Sequence, residues 1–287
     1  MEYIEFGKTG RKVSRLGFGG APAGLKNYLH AYDPQEKSQR KRVVDAIETA
    51  LQAGVNYFDT APGYGDGQSE EMFGEALQGV KSDAIFLATK VGRVSKKGDL
   101  RASIEKSLVR LKRDSIDLIQ LHGTSYDDQK SESILQDGGL LDEMLDAKKE
   151  GLVKFIGFTT EDNNRAVYDF MDTGKFDALQ ICYNLFFQHP YDPVRPFGTL
   201  FEADKKGMGI SVMRPTTSGL FQKWIAEVNP GNTFDYTSAL IQFAFSNPLV
   251  DVVLVGMRSS ERVLQNVEIC NDLQGRIDIK KMFGYYA

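Results

Sequence analysis

The chain has 287 residues, about two fifths of them apolar, enough for one large core and too many for a single small sandwich. Its net charge is −4, with both signs mixed along the chain, so the basic stripe of a nucleic-acid binder is absent. "KSQRKR" at 37–42 is the densest basic run and reads as the solvated start of a helix.

The two cysteines, Cys182 and Cys270, are far apart, which excludes a disulfide framework and a CxxC metal pattern. Cys182 lies in an apolar run and is expected to be a buried thiol. "MEYIEFGKTG" lacks the apolar centre of a signal peptide, and the longest apolar run, "LVDVVLVGM", is short and broken by Asp251. A soluble, cytoplasmic protein without a metal is expected.

The first segment, "YIEFGKTGRKVSRLGFG", alternates in part and turns at Lys8–Thr9–Gly10, which predicts a hairpin. Short apolar runs then alternate with amphipathic ones. Strands are expected at 16–20, 56–60, 84–90, 115–122, 155–159, 178–183, 209–214 and 251–256. Between them, Val44, Ile47, Leu51 and Val55 step by three and four, as do Leu100, Ile104, Leu108 and Leu111. Gly54, Gly79, Gly151, Gly174 and Gly207 stand as helix stops.

Nearly all-apolar strands imply a parallel sheet covered by helices. Eight strand–helix units in one domain over 1–287 imply an α/β fold, the (β/α)8 TIM barrel, with the hairpin closing its floor. The rival is an open doubly wound sheet, whose first strand carries GxGxxG when it binds a dinucleotide. Here "GFGGAPAG" puts Pro22 at the third glycine. "GKTG" at 7–10 lacks the upstream glycine of a P-loop. Three long connections, 21–39, 184–198 and 214–233, follow strands and would lie on the face where barrel active sites form.

Polar residues at strand C-terminal ends carry the chemistry. The second strand ends at Asp59, the third at Lys90, the fourth at His122, and Tyr64 follows the second by five residues. Neighbouring strand ends lie about 5 Å apart, so these four converge on one rim. A lysine ammonium beside a phenol is expected to lower its pKa, with Asp59 as the counter-charge of Lys90. His122 would orient a substrate oxygen. Such a device delivers a proton to a carbonyl oxygen, and the carbon then needs a hydride that only a cofactor supplies. "VGMRSSERVLQNVEI" (255–269) follows the last strand, with Ser259 or Ser260 placed to cap a helix and Arg258 and Arg262 one turn apart, a pattern suited to a phosphate.

These motifs resemble the aldo-keto reductase family over nearly the whole chain. "GVNYFDTAPGYGDGQSEEMFGEAL", "FLATKVG", "SLVRLKRDSIDLIQLHG" and "VGMRSSERVLQNVE" carry the resemblance. It implies NADP(H) or NAD(H) binding, Tyr64 as general acid/base, Lys90 and Asp59 as its supports, and His122 as the orienting group. It places Gly20, Ala21 and Asp59 against the cofactor, Gln180 on its carboxamide, and Arg214 beside it. Ser259, Arg258, Arg262, Gln265 and Asn266 match the segment gripping its adenosine end. Thr159 and Thr160 stand where many members have Ser-Asn, and Met213 where many have a stacked tyrosine. Gly256 replaces a lysine common in NADPH-dependent members, yet the two arginines favour NADP(H) over NAD(H).

The expected reaction interconverts an aldehyde, ketone or sugar carbonyl and its alcohol. The alternative is a cofactor-binding regulatory subunit with little turnover, as in the potassium-channel β-subunits that share this fold. Trp224, Phe186, Phe187, Tyr191, Tyr28, Tyr285 and Tyr286 are candidates to line the mouth, and Arg195 and Arg214 to bind an anionic group. A small-molecule partner and a monomer or small homo-oligomer are expected, with no nucleic acid and no membrane.

Overall fold

The structure is a computed structural model that describes residues 1–91 and 98–284. Gly92 of "FLATKVG" and the terminal Tyr285 and Tyr286 lie outside the described residues.

Strands β1 (Tyr3–Glu5) and β2 (Lys12–Ser14) pair antiparallel, Tyr3 opposite Ser14 and Glu5 opposite Lys12. The turn between them is a 3-10 segment, Gly7–Thr9, ended by Gly10 in the left-handed region at φ 66°. Phe6 leaves this hairpin fully buried, edge-on to Tyr57 at 5.3 Å and Phe86 at 5.1 Å. An aromatic plug thus closes the barrel floor, its area removed from water by a contiguous cluster with Val13, Leu118, Ala178 and Val252.

The remaining strands are β3 (Leu16–Gly19), β4 (Tyr57–Asp59), β5 (Phe86–Lys90), β6 (Ile116–Leu121), β7 (Val153–Thr160), β8 (Ala178–Cys182), β9 (Gly209–Met213) and β10 (Val252–Gly256). They close a parallel barrel in chain order, with β10 returning to β3 through Val253–Leu16 and Gly256–Gly19. All eight match the predicted strands to within two residues at each end. Their apolar runs face helices outside and a packed interior inside, so neither face needs polar alternation.

The helices are α1 (Ala21–Gly24), α2 (Lys37–Gln52), α3 (Gln68–Ala76), α4 (Asp99–Leu111), α5 (Asp128–Leu135), α6 (Leu140–Lys149), α7 (Arg165–Asp172), α8 (Thr199–Lys205), α9 (Leu220–Val228), α10 (Thr237–Phe245), α11 (Ser260–Asn271) and α12 (Ile279–Gly284). The basic run opens α2, as the sequence predicts, capped by Glu36, whose carboxylate accepts from the amides of Ser38 and Gln39. Val44 and Ile47 are buried on its inner face, and Gly54 ends the turn at φ 90°. In α4 the buried residues include Leu100, Ile104 and Leu111, three of the four positions its periodicity predicts.

The connection at 214–233, expected as a loop, contains α9. None of its residues is buried, so no core stripe announces it. Its signal is the spacing of Leu220, Trp224 and Val228, which repeats every four residues. Cys182 and Cys270 are both buried free thiols, and burial raises the pKa of each, that of Cys182 to about 11. Among the described residues no helix is long and apolar enough to cross a membrane, and no cluster of three or more His, Cys, Asp or Glu is placed to hold a metal ion.

Candidate active site

The C-terminal rim is assembled from the ends of β4, β5 and β6. Asp59 is the last residue of β4 and pairs in register with Ala88, two residues before Lys90 on β5. Both side chains point inward and are almost wholly buried. The Lys90 ammonium lies 2.7 and 2.9 Å from the two carboxylate oxygens of Asp59 and 2.9 Å from the carbonyl of Thr60. A charge there is tolerable only because these acceptors replace its water.

Tyr64 sits on the loop after β4. Lys90 Nζ lies over its ring, 4.9 Å from the centroid, and the His122 ring meets it edge-on at 5.5 Å. The loop is held at both ends. The hydroxyl of Ser69 donates to the carbonyl of Gly20 and accepts from Thr60, the amide of Gly20 donates to Asp59, and the amide of Ser69 donates to the carbonyl of Tyr64. Gly24 of α1 abuts the backbone of Tyr64 so closely that a Cβ would fall 2.1 Å from its carbonyl oxygen. Glu70, fully buried, receives Thr89 Oγ1 at 2.7 Å and Arg110 Nε at 2.6 Å, which locks the start of α3 onto β5 and α4.

The electrostatics differ from the sequence expectation at one point. The phenol of Tyr64 is pushed up, not down: burial raises it, the charge of Lys90 lowers it, Asp59 raises it, hydrogen bonding to Lys90 lowers it and Tyr28 raises it. The reason is that Asp59 cancels much of the ammonium's field while burial penalises the phenolate in full. For Lys90 burial opposes the charge, but Asp59 and Tyr64 outweigh it and the pKa is raised. Asp59 is also raised, by burial, against the charge of Lys90 and hydrogen bonds from Lys90, Gln120 and Gln180. The two directions favour opposite states of the pair. The geometry decides for the ion pair, because both carboxylate oxygens and a carbonyl face the ammonium at hydrogen-bond distance. His122 faces solvent at the mouth; burial of its inner side and the Lys90 charge lower its pKa to about 4, so it is neutral at pH 7.

The second half of the rim lies at β7 to β10. Gln180 Oε1 accepts from Gln120 Nε2 at 3.2 Å, and Gln180 Nε2 has the thioether of Met213 at 3.7 Å, a weak acceptor. Gln120 was not among the residues expected at the site, although it stands two positions before His122 on an inward-facing register. The Thr159 hydroxyl donates to the carbonyl of Gly123 at 2.7 Å and accepts from its amide at 2.9 Å, so its hydrogen bonds are spent on the loop after β6. Thr160 Oγ1 accepts from the amide of Asp162.

Arg214, at φ 59°, is held by both carboxylate oxygens of Glu161 at 3.0 and 2.7 Å. Arg195 pairs with Asp192. Both arginines expected to bind an anion are therefore paired within the chain. Arg258 donates to the carbonyls of Pro22 at 2.8 Å and Tyr28 at 2.7 Å and lies 4.1 Å from the Tyr32 ring centroid. It is brought onto the 22–32 segment rather than beside Arg262. Ala21 begins α1, next to this clamp. Gly256 packs under the same segment: a Cβ there would meet Pro22 Cγ at 2.3 Å, which explains why a lysine has no place.

Ser259 caps α11 by accepting from the amide of Arg262. Arg262 Nη1 donates to Gln265 Oε1 at 2.9 Å on the exposed face, and Asn266 is buried. Of the expected lining residues, Tyr191 is core, stacked on Phe201 at 5.0 Å. Phe186, Phe187 and Trp224 are exposed, with Phe221 linking Phe186 and Trp224.

A sequence profile of the Aldo/keto reductase family matches residues 15–240. L-galactose dehydrogenase of Arabidopsis thaliana is 29 % identical over 306 residues, covering 96 % of this chain and 89 % of that protein. D-threo-aldose 1-dehydrogenase of a Pseudomonas species is 26 % identical, covering 91 % and 90 %. An aldo-keto reductase structure from Bacillus halodurans superposes with a TM-score of 0.75 over 100 % of this chain and 96 % of that one, at 23 % identity, a likeness of fold. The profile match, together with the closed barrel and the rim built on it, shows that the chain belongs to the Aldo/keto reductase family, oxidoreductases that interconvert carbonyl and alcohol groups with NAD(P)H.

Proposed function

We propose that this protein is an NADP(H)-linked oxidoreductase in which Tyr64 exchanges a proton with the oxygen of an aldehyde, ketone or sugar. The observation that carries the proposal is the buried Lys90–Asp59 pair placed against the Tyr64 ring, with the His122 ring packed edge-to-face on the same phenol. Tyr64, with its pKa raised, stays protonated at pH 7 and is an acid able to donate. Lys90, held charged by Asp59, stabilises the phenolate as the proton leaves. Neutral His122 offers a hydrogen bond to the substrate oxygen without adding charge.

The residues present fit a nicotinamide cofactor. Gln180 has a buried amide donor with only a weak acceptor, the Met213 thioether, at 3.7 Å on its open side, which suits a carboxamide oxygen. Ser259 opens the twelve-residue α11 with Arg262 in its first turn, which suits a phosphate. When bound, the cofactor supplies or receives the hydride at the carbonyl carbon. Thr159 contributes packing, since its hydroxyl is committed to Gly123. Arg262 is the guanidinium we assign to the 2′-phosphate of NADP(H), because Arg258 is engaged with Pro22 and Tyr28. NAD(H) is the alternative cofactor. Sugars rank first among the substrates to try, because the two relatives named above are sugar dehydrogenases by name.

The test is turnover of NADPH and NADH with aldoses, dicarbonyls and aromatic aldehydes, followed by absorbance. Tyr64→Phe should abolish reduction, a loss of about 10²-fold or more, while NADPH still binds. Tight cofactor binding with no turnover on any substrate would favour the regulatory subunit instead.

A further inference from the structure

Inside a barrel of this kind, side chains from alternate strands form layers, usually of branched apolar residues. Tyr57 on β4, Leu118 on β6 and Ala178 on β8 belong to the apolar cluster over the floor. Two residues further along the same strands stand Asp59, Gln120 and Gln180, all buried. This next layer is polar on three of its strands. Gln120 is its centre: Nε2 donates to Asp59 Oδ2 at 3.2 Å and to Gln180 Oε1 at 3.2 Å. Its own Oε1 is buried with no hydrogen-bond partner among the described residues.

The directions of these bonds follow from charge. A carboxylate accepts and never donates, so Asp59, ionised opposite Lys90, requires the NH₂ end of the Gln120 amide. That NH₂ group then also faces Gln180, which must answer with its oxygen. The NH₂ of Gln180 is left between the Asp59 carboxylate and the Met213 thioether. Turning Gln120 over would set its oxygen against the carboxylate of Asp59, and turning Gln180 over would set NH₂ against NH₂, each inside a dry layer where an unmatched buried polar group is costly. The unpartnered Oε1 of Gln120 is the remaining cost of this arrangement.

We infer that Gln120 is a positioning residue that relays the charge of the Lys90–Asp59 pair to Gln180, fixing the latter's amide with its donor toward the cofactor. The inference rests on the reading of Gln180 as the carboxamide holder. The hydrogen bonds of Gln120 go to Asp59 and Gln180, so it acts through them. It makes the proton-handling side of the rim and the cofactor-holding side one hydrogen-bonded unit.

The test is NADPH binding without substrate, followed by fluorescence on the purified full chain, with NADH in parallel. Gln120→Leu should weaken NADPH about tenfold, the effect of one lost oriented hydrogen bond. Gln180→Leu should do at least as much, and the double variant should be no weaker than Gln180→Leu alone, since Gln120 acts through Gln180. Gln120→Glu keeps the shape and donates only when protonated. Its affinity relative to wild type should therefore fall as pH rises from 6 to 9, a dependence that a purely structural role would not produce. Losses that add in the double variant, or an unchanged dissociation constant in folded Gln120→Leu, overturn the inference. Where Gln120→Leu fails to fold, the pH dependence of Gln120→Glu decides, and a flat ratio overturns it. Failure of the wild type to bind either nucleotide would instead overturn the cofactor reading itself, and the inference with it.

Discussion

Lys90→Met removes the ammonium and keeps most of the volume. Asp59 is then left buried, with the amide of Gln120 at 3.2 Å as a remaining donor. Breaking a buried pair from one side typically costs about 3–5 kcal/mol, because the partner's desolvation is no longer offset. At roughly 2 °C per kcal/mol for a domain of this size, the midpoint of thermal unfolding should fall by about 6–10 °C at pH 8. The deficit should shrink as the pH is lowered. Without Lys90 the folded-state pKa of Asp59 rises further above its unfolded value, so the site is best tolerated when protonated, and stability is lost as pH rises through that pKa. The double variant Lys90→Met/Asp59→Asn should recover part of the loss, since no uncompensated charge remains. Urea or thermal unfolding between pH 5 and 8 measures all of this. A loss below about 1 kcal/mol at pH 8, or single effects that simply add, would refute the buried ion pair as the state of the site.

Asp251 stands at the barrel floor, accepting from the amides of Ile210 and Gly7; burial raises its pKa from 3.8 to about 7. Because the folded value lies above the unfolded one, its contribution is present below about pH 4 and fades as pH rises toward 7, by up to about 4 kcal/mol. Asp251→Asn should flatten the stability profile across that window, and an unchanged slope in urea unfolding would count against the assignment. With Tyr64 in the proton-donor role proposed above and its pKa raised, reduction should persist into alkaline pH, while oxidation of an alcohol should accelerate as pH climbs and the phenolate becomes accessible. Steady-state profiles in both directions check this; parallel profiles would be the wrong result. Arg258→Met should free the 22–32 segment from its bonds at Pro22 and Tyr28, raising hydrogen exchange there about tenfold or more. Unaltered exchange would show the clamp to be idle.

Much of the architecture was legible in the chain because it is written in local chemistry. All-apolar strand runs, amphipathic helices at a spacing of three and four, and glycine stops such as Gly54 at φ 90° each report on their own few residues. Asp59, Lys90 and His122 were visible for a related reason, since polar residues that end apolar strands on consecutive barrel staves have one rim to share. Helix α9 was missed as an element because none of its residues is fully buried, and burial is what makes periodicity conspicuous.

Tertiary structure alone decided how the rim's charges and donors are spent. Two arginines one turn apart in sequence read as a phosphate site, yet Arg258 turns onto the carbonyls of Pro22 and Tyr28, more than two hundred residues away. A lysine beside a phenol reads as a lowered pKa, yet burial and Asp59 reverse the sign. Gln120 reads as one polar residue in an apolar strand, and only barrel closure brings it between Asp59 and Gln180. The sequence by itself determined the eight-stranded frame and the residue types at its rim, because periodicity and strand-end position are local properties. Hydrogen-bond partners and the balance between burial and charge are set by residues distant in the chain, so the frame had to close before they existed.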